Sequence, residues 1–89
     1  MKIELTDQEL VMQFIEGNAS GIETLIYRHK TKVFSYISMY IRDNSLAEDI
    51  FQETFLKVIN SLNSGKYRDT GKFLSWVMRI AHNLIIDHF

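Results

Sequence analysis

Apolar residues recur every three or four positions along most of the chain, a spacing that predicts helices. A short first segment is followed by three longer ones. The longer segments carry Ile22, Leu25, Ile26, His29, Val33, Tyr36, Ile37 and Tyr40, then Leu46, Ile50, Phe51, Phe55, Val58, Ile59 and Leu62, then Phe73, Trp76, Val77, Ile80, Ala81, Leu84 and Ile85. No segment alternates with period two, so we expect an all-α fold: a compact bundle of three main helices plus a short N-terminal helix.

Three short motifs predict where helices begin. A capping box has Ser or Thr three residues before Glu, so that the two side chains satisfy free backbone N–H groups at the helix start. The pairs are Thr6 with Glu9, Ser20 with Glu23, and Ser45 with Glu48. Gly17-Asn18 is a natural end for the first helix, and Asn63-Ser-Gly65 for the third. The second should end near Asp43-Asn44.

Composition adds limits on the class of protein. The 89 residues form one small domain, and 46% hydrophobic with 24% charged residues suits a globular core. The absence of Cys excludes disulfides and thiol catalysis. The N-terminus lacks a secretory signal and no apolar run could cross a bilayer, so we expect a cytoplasmic protein without membrane insertion.

Charge is distributed in alternating blocks along the chain. Residues 1–25 hold five acids and one lysine, whereas residues 26–42 hold four cations and no acid. Residues 43–62 are again acidic and residues 63–89 mildly basic. This alternation suits two partners on two faces, and it also suits ordinary solvated helix surfaces.

Asp49, Gln52 and Glu53 share one face of the third predicted helix because they are three and four residues apart. Such acid and amide groups could accept hydrogen bonds from Arg on a partner helix. The alternative is that the acids are there because they favour the first turns of a helix. A catalytic carboxylate pair is not expected, since acid–base chemistry needs a cleft.

The loop between the third and fourth helices, residues 65–71, combines two glycines with cations, Tyr67, Asp69 and Thr70. Glycine allows close backbone approach, and a base could stack on Tyr67. The alternative is a solvated connection in which Asp69 or Thr70 caps the fourth helix. The Gly-Lys-Ser/Thr signature of a phosphate loop is missing.

The fourth helix carries Lys72, Arg79, His82 and Asn83. Arg79 and Asn83 are four residues apart and share a face, where Arg could contact phosphate and Asn a base edge. An ordinary polar helix surface is the alternative. We predict that Trp76 is a core residue rather than a wedge between strands.

The remaining candidate chemistry is sparse. We predict that His29 is a hydrogen-bonded core residue. Three scattered His without Cys make no metal site, and no nucleophile motif is visible, so we expect no enzyme, metal or cofactor.

Two long motifs resemble region 2 of bacterial sigma factors of the extracytoplasmic-function type. Residues 49–58 match the family pattern Asp-x-x-Gln-Glu-x-Phe of region 2.2. Residues 73–89 match Phe-x-x-Trp-hydrophobic-x-Arg-Ile-Ala-x-Asn, from the end of region 2.3 and region 2.4. Asp7-Gln-Glu-Leu-Val and Gly17-Asn-Ala are similar to the family's start, so the resemblance spans nearly all of residues 1–89.

The resemblance implies a transcription initiation factor domain with two sets of site residues. The first set would bind the clamp helices of the RNA polymerase β′ subunit: Asp49, Gln52, Glu53 and Leu56. The second would bind the non-template strand of the promoter minus-ten element, capture a flipped base in the loop and melt the duplex: Tyr67, Arg68, Asp69, Thr70, Gly71, Lys72, Arg79, His82 and Asn83. An anti-sigma factor is a further candidate partner.

The chain departs from the family in one respect. The module that reads the minus-thirty-five element is absent and the fourth helix runs to Phe89 without a stop signal, so we expect either a truncated fragment or one module of a longer protein. DNA binding by this module alone should be weak and sensitive to salt. The alternatives are a helical adaptor or regulator that binds only protein, and a repressor of double-stranded DNA.

Overall fold

The computed structural model describes residues 4–67 and 71–89, and within them all regular secondary structure is helical. The helices are α1 (Asp7–Ile15), α2 (Ser20–Tyr40), α3 (Asn44–Asn63) and α4 (Phe73–His88). The predicted bundle of three main helices plus a short first helix is therefore confirmed. No helix of this part of the chain is long and apolar enough to span a bilayer.

The core lies around α2, which packs against each of the other three helices, and α3 also packs against α4. Leu25, Val33 and Ile37 of α2 meet Val58 and Val77 there, and all five are fully buried. Each aliphatic side chain of this kind contributes about 1.5–3 kcal/mol by leaving water. The sequence stripes are mostly buried as predicted. Tyr40, at the last position of α2, is instead 48% exposed.

The first predicted capping box is present at the start of α1. The Glu9 N–H donates to Thr6 Oγ1 at 3.2 Å, and the Thr6 N–H donates to Glu9 Oε1 at 3.0 Å. Two free backbone donors of the first turn are thereby satisfied.

The other two predicted capping boxes are wrong, because an upstream Asx side chain takes each role. Asp43 Oδ1 accepts from the N–H groups of Ser45 and Leu46, at 2.9 and 3.2 Å, so α3 begins before Ser45. Asn18 Oδ1 accepts from both the N–H and the hydroxyl of Ser20. Ser20 is therefore a donor inside α2 rather than its cap.

The predicted ends of α1 and α3 are confirmed, and both use a glycine with positive φ. Gly17 has φ of 103° and Gly65 has φ of 71°. At each end the glycine N–H and the following N–H donate backward into the last turn of the helix: Gly17 to Phe14, Asn18 to Gln13, Gly65 to Leu62, and Lys66 to Ser61. This is the Schellman arrangement, which closes helices with a left-handed residue.

Helix α1 is fixed to α2 by a close backbone approach and a shared carboxylate. A Cβ placed on Gly21 would collide with the Leu10 carbonyl oxygen. Asp7 accepts from the Arg28 guanidinium at 2.9 Å, and its other oxygen lies 2.9 Å from His29 Nε2. The His29 side chain is only 11% exposed, which confirms the prediction of a hydrogen-bonded core histidine.

Candidate binding surfaces

The acid and amide residues of α3 form a continuous exposed row. We call Asp49, Gln52, Glu53 and Leu56 the polar ridge, and all four are exposed. Leu56 is 58% exposed, so it adds apolar surface to the row. The spacing predicted this shared face, since intervals of three, four and seven residues return to one side of a helix.

The polar ridge runs between two surface grooves. The groove between α2 and α3 has Phe34 and Phe51 on its lining, with ring centres 5.9 Å apart in an edge-to-face arrangement. Gln52 lies at the rim of this groove. On the other side, Asp49 and Glu53 line the groove between α3 and α4. A partner side chain could therefore meet polar atoms on the ridge and apolar surface beside it.

The carboxylates of the ridge make no ion pair with any of the described residues. Within residues 4–67 and 71–89, the ion pair present joins Asp7 to Arg28, and Asp7 also hydrogen-bonds to His29. Asp49 and Glu53 are thus unneutralised acceptors, suited to the forked guanidinium of a partner's Arg. Gln52 between them can both donate and accept.

The cationic and amide residues of α4 also share an exposed surface. We call Lys72, Arg79, His82 and Asn83 the α4 face, and all four are exposed. Lys72 immediately precedes α4, after Gly71 with φ of 76°. The predicted common face of Arg79 and Asn83 is present, because both are exposed one turn apart on α4.

A hydrogen bond between α2 and α4 was not predicted from the sequence. The Tyr36 phenol oxygen lies 2.8 Å from His82 Nδ1, although the two residues are 46 positions apart. Partial burial, and secondarily Tyr40, raise the pKa of Tyr36 above its ordinary value of 10.0, so the phenol stays protonated at neutral pH. No pattern in the sequence predicts this contact, because it depends on how α2 and α4 align in the folded domain.

The loop before α4 begins with a packed aromatic ring. The Tyr67 ring centre lies 4.5 Å from that of Trp76 and 6.0 Å from that of Phe73. Trp76 is half-buried and packs against the core, so the prediction of a core residue is confirmed only in part. A base that stacks on Tyr67 must therefore use the part of the ring that Trp76 leaves uncovered. Arg68, Asp69 and Thr70, including the predicted cap, lie outside the described residues.

The described residues hold no group of three His, Asp or Glu side chains close enough to bind a metal ion.

Comparison with known proteins identifies the family. Residues 25–89 match the family described as Sigma-70 region 2. The chain is 37% identical over 75 residues to the RNA polymerase sigma factor CarQ of Myxococcus xanthus, covering 84% of this chain and 42% of that protein. It is 34% identical over 83 residues to the ECF RNA polymerase sigma-E factor of Haemophilus influenzae, covering 93% of this chain and 42% of the relative.

A solved structure shows the same fold. It is the NMR structure of an engineered region 2 of sigmaE in complex with GTAAAA, with a TM-score of 0.86 and 33% identity over 99% of this chain and 90% of the other. The chain spans less than half the length of the curated relatives it matches. It belongs to the sigma-70 region 2 family, and it is a region 2 domain of the extracytoplasmic-function type.

Proposed function

We propose that this domain serves transcription initiation by binding core RNA polymerase through the polar ridge and the promoter minus-ten element through the α4 face. The observation that carries the proposal is the exposed pair Arg79 and Asn83, on a fold that superposes on a region 2 complexed with GTAAAA. The proposed domain comprises residues 1–89, and a module reading the minus-thirty-five element would lie elsewhere.

The polymerase contact is supported by the chemistry of the ridge. Asp49 and Glu53 offer carboxylates that have no ion-pair partner among the described residues, and Gln52 adds a two-way hydrogen-bonding group between them. Leu56 supplies apolar surface at one end of the ridge. The two carboxylates and the amide would hydrogen-bond to Arg side chains on the clamp helices of the β′ subunit.

The DNA contact is supported by the residue types of the α4 face. Arg79 and Lys72 would contact phosphates, which fixes the position of the strand. Asn83 would hydrogen-bond a base edge, with His82 beside it. The loop that contains Tyr67, residues 68–70 and Gly71 would hold one base flipped out of the duplex.

Melting would then follow from binding. Unstacking and unpairing one base costs on the order of a few kcal/mol. Stacking of one base on an aromatic ring returns about 1–3 kcal/mol. A domain that binds the single strand better than the duplex shifts the equilibrium toward the open state. The domain acts by binding and leaves the chemistry to polymerase, in the cytoplasm, with an anti-sigma factor as a candidate regulator.

An NMR titration tests the DNA contact. The domain is titrated with single-stranded GTAAAA and with the scrambled hexamer AAGATA. The Asn83→Ala variant is expected to bind GTAAAA roughly tenfold more weakly, since a good side-chain pair to a base edge is worth about 1–3 kcal/mol. Asn60→Ala, an exposed amide on α3, is the matched control and should bind normally. An equal loss on the scrambled hexamer would argue against base reading.

A second titration tests the polymerase contact. The combined Gln52→Ala and Glu53→Ala variant should lose binding to an isolated β′ clamp-helix fragment while its helical circular dichroism is unchanged. Glu16→Ala, an exposed acid at the end of α1, is the control. Unchanged binding would remove the polar ridge from the interface.

The two titrations also separate the alternatives. Clamp-helix binding without any DNA preference would favour a protein-only adaptor. Tighter binding to duplex than to single strand would favour a repressor.

A further inference from the structure

The C-terminal half of α2 carries a row of cationic and aromatic side chains that the proposed sites do not use. Lys32, Tyr36 and Tyr40 are spaced by four residues, so they follow one side of the helix, and we call them the α2 stripe. The rings of Tyr36 and Tyr40 are in contact, with centres 5.4 Å apart. Tyr40 is 48% exposed and the neighbouring Met39 is 69% exposed.

The charged residues of this part of the chain are of one sign. Residues 26–42 contain four cations and no acid. Arg28 is neutralised by Asp7, and Lys30 lies over the ring of Tyr27 at 4.5 Å. Lys32 and Arg42, by contrast, make no ion pair within residues 4–67 and 71–89. The stripe therefore offers positive charge to an anionic ligand, and the adjacent rings offer stacking surface.

The α2 stripe is continuous with the α4 face. His29 packs on Phe73 near the start of α4, and Tyr36 contacts His82 further along, so α2 and α4 run parallel. Tyr40 lies one turn beyond Tyr36, toward the end of α4. The Tyr36–His82 hydrogen bond thus joins the two surfaces at their middle.

The same contact orients His82. Its Nδ1 is engaged by the Tyr36 phenol, and the ring centres lie 6.4 Å apart. Nε2 lies on the other edge of the ring and makes no hydrogen bond within the described residues. When Tyr36 donates, the proton of neutral His82 is on Nε2, which is then a donor for a phosphate or a base.

We propose that the α2 stripe extends the DNA site, so that the single strand bound on the α4 face continues across His82 onto Tyr36 and Tyr40 with a phosphate on Lys32. This inference rests on the proposed function. Cations interleaved with aromatic rings are the combination that binds single strands, because phosphates meet charge while bases stack. A duplex suits the stripe less well, since its bases are already stacked on one another.

The experiment compares strands of two lengths. Single-stranded GTAAAA is titrated beside TTTGTAAAA and GTAAAATTT, which add three nucleotides on either side. One of the longer strands is expected to bind the wild-type domain roughly tenfold more tightly than the hexamer, through added stacking. The Tyr40→Ser variant should bind that longer strand no more tightly than wild type binds the hexamer.

Tyr27→Ser is the matched control, because Tyr27 is also an exposed tyrosine of α2, 74% exposed. It lies nine residues before Tyr36, about 180° around the helix. It should keep the full gain from the longer strand. An equal loss in both variants would overturn the inference. It would also be overturned if neither longer strand bound the wild-type domain more tightly than the hexamer. Failure of wild type to bind any of the three strands would overturn the proposed function as well.

Salt dependence gives a second readout that does not depend on the rings. Lys32→Gln should lower the slope of log affinity against log salt for the longer strand by about 0.7, the value for one contact to single-stranded phosphate. Lys30→Gln is its control, since Lys30 lines the groove on the α3 side of the same helix. Equal slopes in wild type and Lys32→Gln would remove Lys32 from the site.

Discussion

The polar ridge is built differently from the α4 face and the α2 stripe, which together we call the joined surface. The ridge lies on one helix, within eight consecutive positions, and its carboxylates have no ion-pair partner within residues 4–67 and 71–89. The joined surface draws on two helices, and Tyr36 is already in contact with both Tyr40 and His82. One surface is free to adapt to a partner, whereas the other is preorganised.

This difference has an energetic meaning. Ordering a rotamer-rich side chain on binding costs about 0.5–1.5 kcal/mol. On the ridge, the side chains of Gln52 and Glu53 would have to be ordered when a partner binds, which reduces the affinity. The rings of the joined surface are already largely ordered in the folded domain, so binding a ligand there costs less side-chain ordering free energy. Substitutions should therefore act on the ridge through binding and on the α4 side partly through stability.

The largest expected effect is at Phe73, which is buried beneath the α4 side. Its ring contacts those of His29, Tyr67 and Trp76, and it is 2% exposed. Phe73→Ala should lower the free energy of unfolding by about 3–5 kcal/mol, because a large cavity is left. Urea unfolding followed by circular dichroism measures it.

Leu56→Ala is the matched truncation on the ridge, and its effect on the same free energy should stay within about 0.5 kcal/mol. Comparable losses at Phe73 and Leu56 would contradict the distinction between a packed and a solvated surface.

A smaller effect, confined to binding, is expected at Leu56. Leu56→Asp places a charge where we propose apolar contact with the clamp helices, and it should weaken that binding by about 2 kcal/mol. Titration with the β′ clamp-helix fragment measures it. Binding of GTAAAA by the same variant should be unchanged, and a parallel loss there would mean that the two surfaces are not independent.

The smallest expected effect is at Tyr36. Tyr36→Phe removes the hydrogen bond to His82, which should lower the free energy of unfolding by about 1 kcal/mol or less. Because the pKa of Tyr36 is raised in the folded state, its contribution is complete below the ordinary value of 10.0 and is lost as pH rises through the raised value.

The wild-type free energy of unfolding should accordingly fall more steeply above pH 10 than that of Tyr36→Phe. Unfolding curves at pH 8, 10 and 11 would check this, with Tyr27→Phe as control because Tyr27 is exposed on another side of α2. Parallel pH profiles for wild type and Tyr36→Phe would contradict the role of the phenol.

The sequence predicted features that depend on a single helix. The four helices, the glycine ends at Gly17 and Gly65, and the shared face of Asp49, Gln52 and Glu53 all follow from local spacing. The starts of α2 and α3 lie within one residue of Ser20 and Ser45, as predicted, but the predicted capping groups were wrong, because the rule for capping boxes considers a hydroxyl and a Glu but no competing acceptor. Asn18 and Asp43, two residues upstream of each serine, supplied that acceptor.

Contacts between helices could not be predicted from the sequence, for a different reason. Tyr36 and Tyr40 fit an apolar helical stripe, and only the parallel alignment of α2 with α4 brings Tyr36 to His82. Likewise, periodicity placed Trp76 in the core but could not show that Tyr67 packs on it. Surfaces assembled from two helices need the tertiary alignment, which hydrophobic periodicity does not encode.

The attachment of α1 has a consequence for building chimeras. The family match covers residues 25–89, and α1 lies outside it. Its fit rests on Gly21, where a side chain would strike the Leu10 carbonyl, and on Asp7, which joins Arg28 and His29. A hybrid that receives α1 from this protein should therefore also receive residues 20–29. In a host with a side chain at the position of Gly21, that side chain would collide with the Leu10 carbonyl, and without Arg28 and His29 the Asp7 carboxylate would lose both of its hydrogen-bond partners.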